Sequence, residues 1–233
     1  MLFNYYFFSY ILFFLNLQRI LKGQDLSGVL PASVAKLPYI IFLDLWANYL
    51  NGTIPKEWAS TKLEVLSVGI NRLSGPIPEY LGNITSLIYL TLENNMFSGE
   101  VPASLGKLAN LVTLVLNTNN LTGSIPAELS HLPKLKHIRL SSNNFVGKLP
   151  SFSSLTNLQI LEIQGSGFEG PIPSGISLLK NLTELRISDL NGEGSDFPQL
   201  GHMTEMTRLM LRSCNISGKI PTDILQMSHL QIL

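Results

Sequence analysis

The sequence of 233 residues contains little cysteine, little charge and no uncharged apolar run as long as a membrane-spanning helix. Its one cysteine excludes an internal disulfide framework. Basic and acidic residues number 16 each, so the net charge at pH 7 is zero. Bulk electrostatics therefore do not indicate a nucleic-acid or membrane-surface partner. The hydrophobic fraction of 45% is ample for a buried core.

The most apolar stretch is the amino-terminal segment, residues 1–16. It has no charged side chain, but it is shorter than the roughly 20 residues that a membrane-spanning helix needs. One interpretation is a secretory signal or anchor, although no basic residue precedes the run and no A-x-A-like cleavage site follows it. The other is a mis-assigned start whose apolar residues are covered by the first repeat. We predict a repeat domain in residues 17–233.

Recognisable catalytic motifs are also missing. The four histidines have no metal-ligand spacing, and no lysine, aspartate and Asp-Phe-Gly set indicates a kinase. A G-x-G-x-x-G match runs from Gly165 to Gly170, but Pro171 follows it in place of the helix that a dinucleotide phosphate requires. We therefore predict that the chain is not an enzyme and has no cofactor or metal site.

What the sequence does contain is a unit that recurs about every 24 residues, and periods of this size indicate a solenoid. One unit cannot bury its own apolar face, so neighbouring units must stack to form a core. We predict about eight units, truncated at the carboxyl end because the chain stops inside a unit. The units begin at Leu26, Leu50, Leu73, Phe97, Leu121, Phe145, Phe168 and Ile216.

The unit in residues 97–120 shows what each position does. Leu114 and Leu116 are two residues apart, so they share one face of a short strand. Asn119 is placed to bond backbone groups of the adjoining coil, and Gly99 permits a tight bend. Asparagine fills the same position in four other units, which predicts a structural asparagine ladder. Cys214 fills this position in the last unit, so we predict a structural role for its thiol. The ladder residues are Asn48, Asn71, Asn95, Asn119 and Asn143.

Two stretches depart from the repeat. In residues 17–25, Arg19 falls where an inward leucine is expected, which makes a leading strand doubtful. In residues 190–198 the glycine-proline turn is missing, and Phe197-Pro198 stands in for it. The second stretch is either a surface loop with a function or a tolerated irregularity.

The turn motifs LSGPIP at Leu73, FSGEVP at Phe97, LTGSIP at Leu121 and ISGKIP at Ile216 resemble plant-type leucine-rich repeats. The stretches LNGTIPKEWASTKLEVLSVGINRLSGPIP and LKNLTELRISDLNGEGSDFPQL resemble the ectodomain of plant leucine-rich-repeat receptor-like serine/threonine kinases, in the group that also carries a malectin-like domain. The resemblance implies an α/β solenoid: a right-handed superhelix with short parallel strands on the concave face and a mostly irregular or 3-10 convex side.

The same resemblance implies a recognition module at the outer face of the plasma membrane or in the cell wall space. Its partners would be a protein or peptide ligand and a co-receptor. Full-length relatives add a malectin-like module, a membrane helix and a cytoplasmic kinase. We find none of these three in this sequence, and the paired cysteines that usually cap such ectodomains are absent too.

Residues that alternate with the buried leucines predict the binding face. The first units offer aromatic residues and the last offer charged ones, the types that dominate interface energetics. We predict a protein or peptide ligand with an acidic end near Arg186, Arg208 and Arg212; the alternative is that these arginines pair with Glu162 and Glu184. The candidate residues are Phe42, Trp46, Tyr89, Glu93, Arg139, Glu162, Arg186, Arg208 and Arg212.

N-x-S/T acceptor sequences suit a secreted glycoprotein, although the repeat consensus itself creates some of them. Three function classes stay open: a recognition module related to receptor kinases, a stand-alone soluble binding or inhibitor protein, and a non-functional truncated receptor fragment. We favour the first. The acceptor sites are Asn51, Asn83, Asn120, Asn181 and Asn215.

Overall fold

The computed structural model describes residues 18–233, and the predicted apolar segment 1–16 lies outside the described residues. One short strand from each unit joins a nine-stranded parallel sheet, which we call the main sheet. This arrangement confirms the predicted solenoid of stacked strands. The strands are Gln18–Ile20, Phe42–Asp44, Val65–Ser67, Tyr89–Thr91, Thr113–Val115, His137–Arg139, Ile160–Gln164, Glu184–Ser188 and Arg208–Arg212.

Strand pairing keeps the repeat in register along the whole main sheet. Phe42 pairs with Val65, Val65 with Tyr89, and Glu184 with Arg208 at the far end. Equivalent positions of successive units therefore form straight columns across the sheet. The leading strand, doubtful from sequence, is present, because Gln18–Ile20 pairs with Phe42–Asp44.

A second parallel sheet forms where the sequence predicted only a tight turn. In the unit at Phe97 the strand Met96–Glu100 includes Gly99, whose φ of +73° lets the chain bend within the strand. The bend therefore requires the glycine, as predicted. The predicted turn nevertheless forms a strand, because its backbone pairs with the equivalent segments of adjacent units. The five strands are Ser27–Val29, Tyr49–Gly52, Arg72–Pro76, Met96–Glu100 and Asn120–Thr122.

Prolines separate this second sheet from short 3-10 helices on the remaining side. Proline has no N–H to donate to a sheet, and its fixed φ suits the start of a helix. In the first helix the carbonyl of Pro31 accepts a bond from the Val34 N–H at 3.2 Å. The helices are Ala32–Lys36, Lys56–Ser60, Glu79–Asn83, Ala103–Lys107, Ala127–His131, Ser174–Leu178 and Thr222–Gln226.

The core lies between the main sheet, the second sheet and the 3-10 helices. Leu114 and Leu116 point into it and are fully buried, as the two-residue spacing predicted. Trp58 is also fully buried and donates its indole N–H to the Pro31 carbonyl at 3.0 Å. Phe145 and Phe168 stack with ring centroids 5.1 Å apart. One continuous core therefore runs from unit to unit.

The asparagine column satisfies the backbone groups that stacking would otherwise leave unpaired. The Asn119 Nδ2 group donates to the carbonyls of Leu92, Leu116 and Asn117 at 3.1–3.2 Å, and its Oδ1 accepts from the Phe97 N–H at 3.0 Å. The Cys214 thiol occupies the equivalent position and bonds the carbonyls of Ile187 and Arg212 at 3.5 and 3.2 Å. A weak donor thus replaces the amide there.

The irregular stretch 190–198 stays within the stack. Asn191 bridges to Glu169 on one side, and Ser195–Asp196 forms a two-stranded sheet with Ile216–Ser217 on the other. Phe197 packs partly against the core. The missing turn motif therefore changes the side chains more than the path of the backbone.

Candidate ligand-binding face

The face of the main sheet that points away from the core, here called the outer face, carries the residues that alternate with the buried leucines. In the first complete unit Leu43 and Leu45 are fully buried, whereas Phe42, Asp44 and Trp46 are half-buried. All nine predicted face residues lie in or beside main-sheet strands. The structure divides them into an aromatic group, a middle residue, Glu93, and a charged group.

Phe42, Trp46 and Tyr89 come together in a groove of about 480 Å³, which we call the aromatic groove. The three aromatic side chains thus line one open space on the outer face. Its lining consists of Lys22, Phe42, Asp44, Trp46, Val65, Ser67 and Tyr89.

Trp46 is held in this groove by the absence of a side chain on the next strand. A Cβ atom added at Gly69 would lie 2.8 Å from two carbons of the indole and 3.2 Å from Glu93 Cγ. The indole therefore occupies the space that a side chain at Gly69 would need. The Lys22 ammonium lies over the same indole ring, 5.4 Å from its centroid, which is within cation–π range.

Asp44 supplies the carboxylate of the aromatic groove. Its Oδ1 accepts hydrogen bonds from Ser67 Oγ at 2.7 Å and from the Trp46 backbone N–H at 3.0 Å. These two bonds fix the carboxylate between neighbouring strands. Among the side chains of residues 21–233, no Lys, Arg or His forms an ion pair with Asp44.

Tyr89 and Glu93 connect the aromatic and charged groups. Burial raises the pKa of the Tyr89 hydroxyl, the Glu93 charge raises it further, and Arg139 opposes the change. Burial also raises the pKa of the Glu93 carboxyl, and Arg139 partly offsets this increase. The middle of the face is thus a partly desolvated region in which an ionised carboxylate is disfavoured.

The charged group forms an alternating chain of ion pairs, which we call the ion-pair ribbon: Arg139, Glu162, Arg186, Glu184 and Arg208. Glu162 contacts Arg139 and Arg186, each at 3.3 Å, and Arg208 contacts Glu184 at 3.2 Å. Arg186 also contacts Glu184, which completes the chain. Each carboxylate is thus shared by two guanidinium groups.

Arg212, by contrast, is exposed and forms no ion pair with any residue that the structure describes. It lies at the end of the strand that carries Arg208. The arginines near the carboxyl end are therefore of two kinds, because Arg186 and Arg208 are paired and Arg212 is open.

The repeat frame places Asp44, Val65 and Ser67 in the outward-facing columns, but neither these residues nor Lys22 were among the candidate binding residues, and the role of Gly69 was not recognised. Lys22 precedes the first clear unit, where the frame was doubtful. A signal for the Trp46 site was nevertheless present, because a tryptophan and a glycine occupy neighbouring units of one column. A large side chain beside a missing one indicates that the ring lies across the neighbouring strand.

Other sites considered from the sequence have no support in the geometry. Gly165–Gly170 leads into Pro171–Pro173, and the next helix begins only at Ser174. Within residues 18–233, no cluster of three or more His, Cys, Asp or Glu side chains is arranged to hold a metal ion. No helix in this range is long and apolar enough to cross a membrane.

Comparison with known proteins gives the repeat its family. Leucine-rich-repeat models match residues 100–145 and 86–108. In solved structures, the chain superposes on a TDR receptor with a TM-score of 0.83 and 28% identity, covering 93% of this chain and 42% of that one. The fold is a leucine-rich-repeat solenoid. This result confirms the predicted fold class.

A second structure of similar fold is the Arabidopsis receptor kinase HAESA in complex with the peptide hormone IDA and the co-receptor SERK1. The present chain superposes on HAESA with a TM-score of 0.83 and 30% identity, and the match covers 92% of the present chain and 37% of the HAESA chain. A probable leucine-rich-repeat receptor-like serine/threonine-protein kinase of Arabidopsis thaliana is 50% identical over 215 residues, which is 91% of this chain and 21% of the relative.

The leucine-rich-repeat chain is therefore homologous to plant leucine-rich-repeat receptor-like kinases, as the turn motifs suggested. It spans about a fifth of the length of that relative. The match lies in the ectodomain-like region, which is not catalytic, and the kinase domains of the relatives lie outside it. Homology to receptor ectodomains is consistent with an extracellular location.

Proposed function

We propose that this leucine-rich-repeat domain is a non-catalytic extracellular recognition module that binds a peptide or protein along the outer face of the main sheet. The observation that carries the proposal is the composition of this face, with the aromatic groove near one end and the ion-pair ribbon near the other. Aromatic and arginine side chains supply most of the binding energy in known interfaces.

The dimensions of the face suit an extended peptide that crosses the strands. Seven strand-to-strand steps separate Phe42 from Arg208 in the sheet order. At about 4.8 Å per step, the distance is roughly 34 Å. An extended chain advances at most about 3.3–3.6 Å per residue, so a segment of about 10 residues reaches both ends.

The homologues support both the ligand class and a second partner. HAESA was crystallised with a peptide hormone and a co-receptor, and GASSHO1/SCHENGEN3 with CASPARIAN STRIP INTEGRITY FACTOR 2. We extend the peptide ligand and the co-receptor to this chain by homology. The two long stretches that resemble malectin-containing receptor kinases lead us to assign it to that group.

We further propose that an acidic part of the ligand lies near Arg186, Arg208 and Arg212. Arg212 is the open contact, because Arg208 is already paired with Glu184. Arg208 keeps 37% of its side chain exposed, so a ligand carboxylate can approach it without breaking the pair. Arg186 supports the site from within the ion-pair ribbon.

The test compares the wild-type domain with Arg212→Glu and with Arg208→Gln in binding to a panel of plant secreted peptides, measured by isothermal titration calorimetry. Charge reversal at Arg212 is expected to weaken binding at least about 10-fold, because a charge-assisted hydrogen bond is replaced by repulsion. Lys134→Glu, on the helix side, is the matched control. If neither substitution changes any interaction, the proposed acidic contact is wrong.

We also propose N-glycosylation at the acceptor asparagines, all five of which are exposed. Asn51 and Asn120 lie in the second sheet, Asn83 ends a 3-10 helix, and Asn181 and Asn215 precede strands. None lies in a main-sheet strand, so glycans at these positions leave the outer face open. Intact mass after secretion from plant cells tests this, and an unmodified chain would contradict it.

A further inference from the structure

The aromatic groove combines aromatic rings with a carboxylate, Asp44, that forms no ion pair with any side chain of residues 21–233. Asp44 accepts both of its hydrogen bonds, from Ser67 Oγ and from the Trp46 N–H, with the single oxygen Oδ1. A partly buried carboxylate is stabilised when a positive charge approaches it. The groove therefore favours a cationic group on electrostatic grounds.

A second negative charge strengthens this preference. Glu93 lies next to the indole of Trp46, since both side chains approach the position of Gly69. The charges of Glu93 and Asp44 both raise the pKa of the Tyr89 hydroxyl, which lines the same groove. Aromatic faces add an attraction of their own for cations.

One cation already uses part of this site. Lys22 is exposed and extends its ammonium over the Trp46 ring, at 5.4 Å from the centroid. Lys22 forms no ion pair with Asp44, so it leaves the Asp44 carboxylate available to a ligand cation. An exposed lysine on a flexible stem is easily displaced. Lys22 thus marks where a ligand cation fits.

We propose that the aromatic groove binds a basic side chain of the ligand peptide, an ammonium or guanidinium group that stacks on Trp46 and pairs with Asp44. This inference rests on the proposed function and deepens it. Together with the acidic contact at Arg212, it predicts a ligand with separated charges: a basic residue at the groove and an acidic one about 10 residues away. Seven strand-to-strand steps, roughly 34 Å at the sheet spacing, separate the strand that ends at Asp44 from the strand that ends at Arg212.

The experiment uses the indole N–H signals of the full chain in nitrogen-15 NMR spectra. The chain has two tryptophans, and the buried Trp58, bonded to the Pro31 carbonyl, is the internal control for Trp46. The probes are N-acetyl-arginine amide, its uncharged isostere N-acetyl-citrulline amide, and N-acetyl-leucine amide. We expect the arginine probe to shift only the Trp46 signal and to bind at least about 5-fold more tightly than citrulline.

Two variants assign the contacts. Asp44→Asn keeps an oxygen for both observed hydrogen bonds but removes the charge, so the preference for arginine over citrulline is expected to fall to near unity. Lys22→Met removes the resident cation, and the arginine probe is expected to bind about 2- to 5-fold more tightly. Lys134→Gln, on the helix side, is the control and should leave probe affinity unchanged.

A leucine probe that binds more tightly than arginine would identify an apolar ligand group and overturn the proposal. So would arginine binding that is unchanged in Asp44→Asn, or any weakening in Lys22→Met. The recognition function is tested separately by the peptide panel. If a panel peptide binds, loses affinity in Arg212→Glu and is indifferent to Asp44→Asn, only the assignment of the groove fails.

Discussion

Several non-glycine residues in this solenoid have a positive φ, a backbone conformation that is unfavourable for most side chains. The position before each ladder residue has positive φ, and Ile70 occupies it at +51°. A β-branched side chain in this region is strained, whereas asparagine tolerates it. Asn94 holds the same position in the next unit at the same angle.

We therefore expect Ile70→Asn to stabilise the domain by about 1 kcal/mol, since strain is relieved and Ile70 is 42% exposed. The measurement is the urea dependence of far-ultraviolet circular dichroism. The reciprocal change, Asn94→Ile, should destabilise by a similar amount. A less stable Ile70→Asn would indicate that the exposed isoleucine makes an apolar contact that outweighs its backbone strain.

Glu93 gives the face a pH-dependent contribution to stability. Its folded pKa is raised above the usual 4.5, so the folded state binds this proton more tightly than the unfolded state. The ionised carboxylate therefore destabilises the fold at neutral pH, and this cost disappears as pH falls through the raised pKa.

Glu93→Gln is accordingly expected to raise the urea midpoint at pH 7 and to have little effect below pH 4.5, where the wild-type carboxyl is protonated in both states. Urea titrations at several pH values measure the difference. The exposed Glu205→Gln is the control and should show a much smaller change at pH 7. A lower midpoint for Glu93→Gln at pH 7 would mean that attraction to Arg139 outweighs burial.

At the scale of elements, the units are spaced by small side chains where 3-10 helices meet. A Cβ added at Gly82 would lie 2.6 Å from the carbonyl carbon of Ser104 in the next helix. Backbone cannot move aside as a flexible side chain can. Gly82 therefore sets how closely Glu79–Asn83 approaches Ala103–Lys107.

Gly82→Ala is expected to destabilise the domain by about 2–3 kcal/mol through overpacking. Gly175→Ala is the matched control in another 3-10 helix, because the nearest atoms to its added Cβ would be side-chain atoms, the Cβ atoms of Ser151 and Ser153, at 3.1 Å. The control should cost less than half as much. Equal effects would show that helix propensity, and not the contact with Ser104, sets the cost.

The elements differ in how far the sequence could predict them. Leu114 and Leu116 identified a main-sheet strand, because the two-residue spacing of buried leucines is visible within one unit of the sequence. The second sheet was missed because it depends on pairing between units: Met96–Glu100 looks like a turn until the adjacent Arg72–Pro76 is in place. The face columns followed from the frame, but the Trp46 site depends on Gly69, which has no side chain to suggest a contact.

At the scale of the molecule, stability is distributed along one axis, and each unit depends on its neighbours. The central units have fully buried leucines, whereas Ile220 and Leu225 near the carboxyl end are 64% and 83% exposed. Opening free energies should therefore decrease toward that end.

Amide hydrogen exchange should show the strongest protection at Leu114–Leu116 and weaker protection at Leu209–Leu211, by at least about 2 kcal/mol in opening free energy. The expected order follows unit by unit from the middle of the chain to its end. Uniform protection across all main-sheet amides would contradict this and indicate a single cooperative unit.

The irregular stretch 190–198 shows which positions of such a chain tolerate changes in sequence. Its backbone is guided on both sides, by Glu169 and by Ile216–Ser217. Neighbouring coils thus act as a template that keeps the path of the backbone although the glycine-proline turn motif is absent here. Novel side chains can accumulate at such a place without shifting the columns that recognise a ligand.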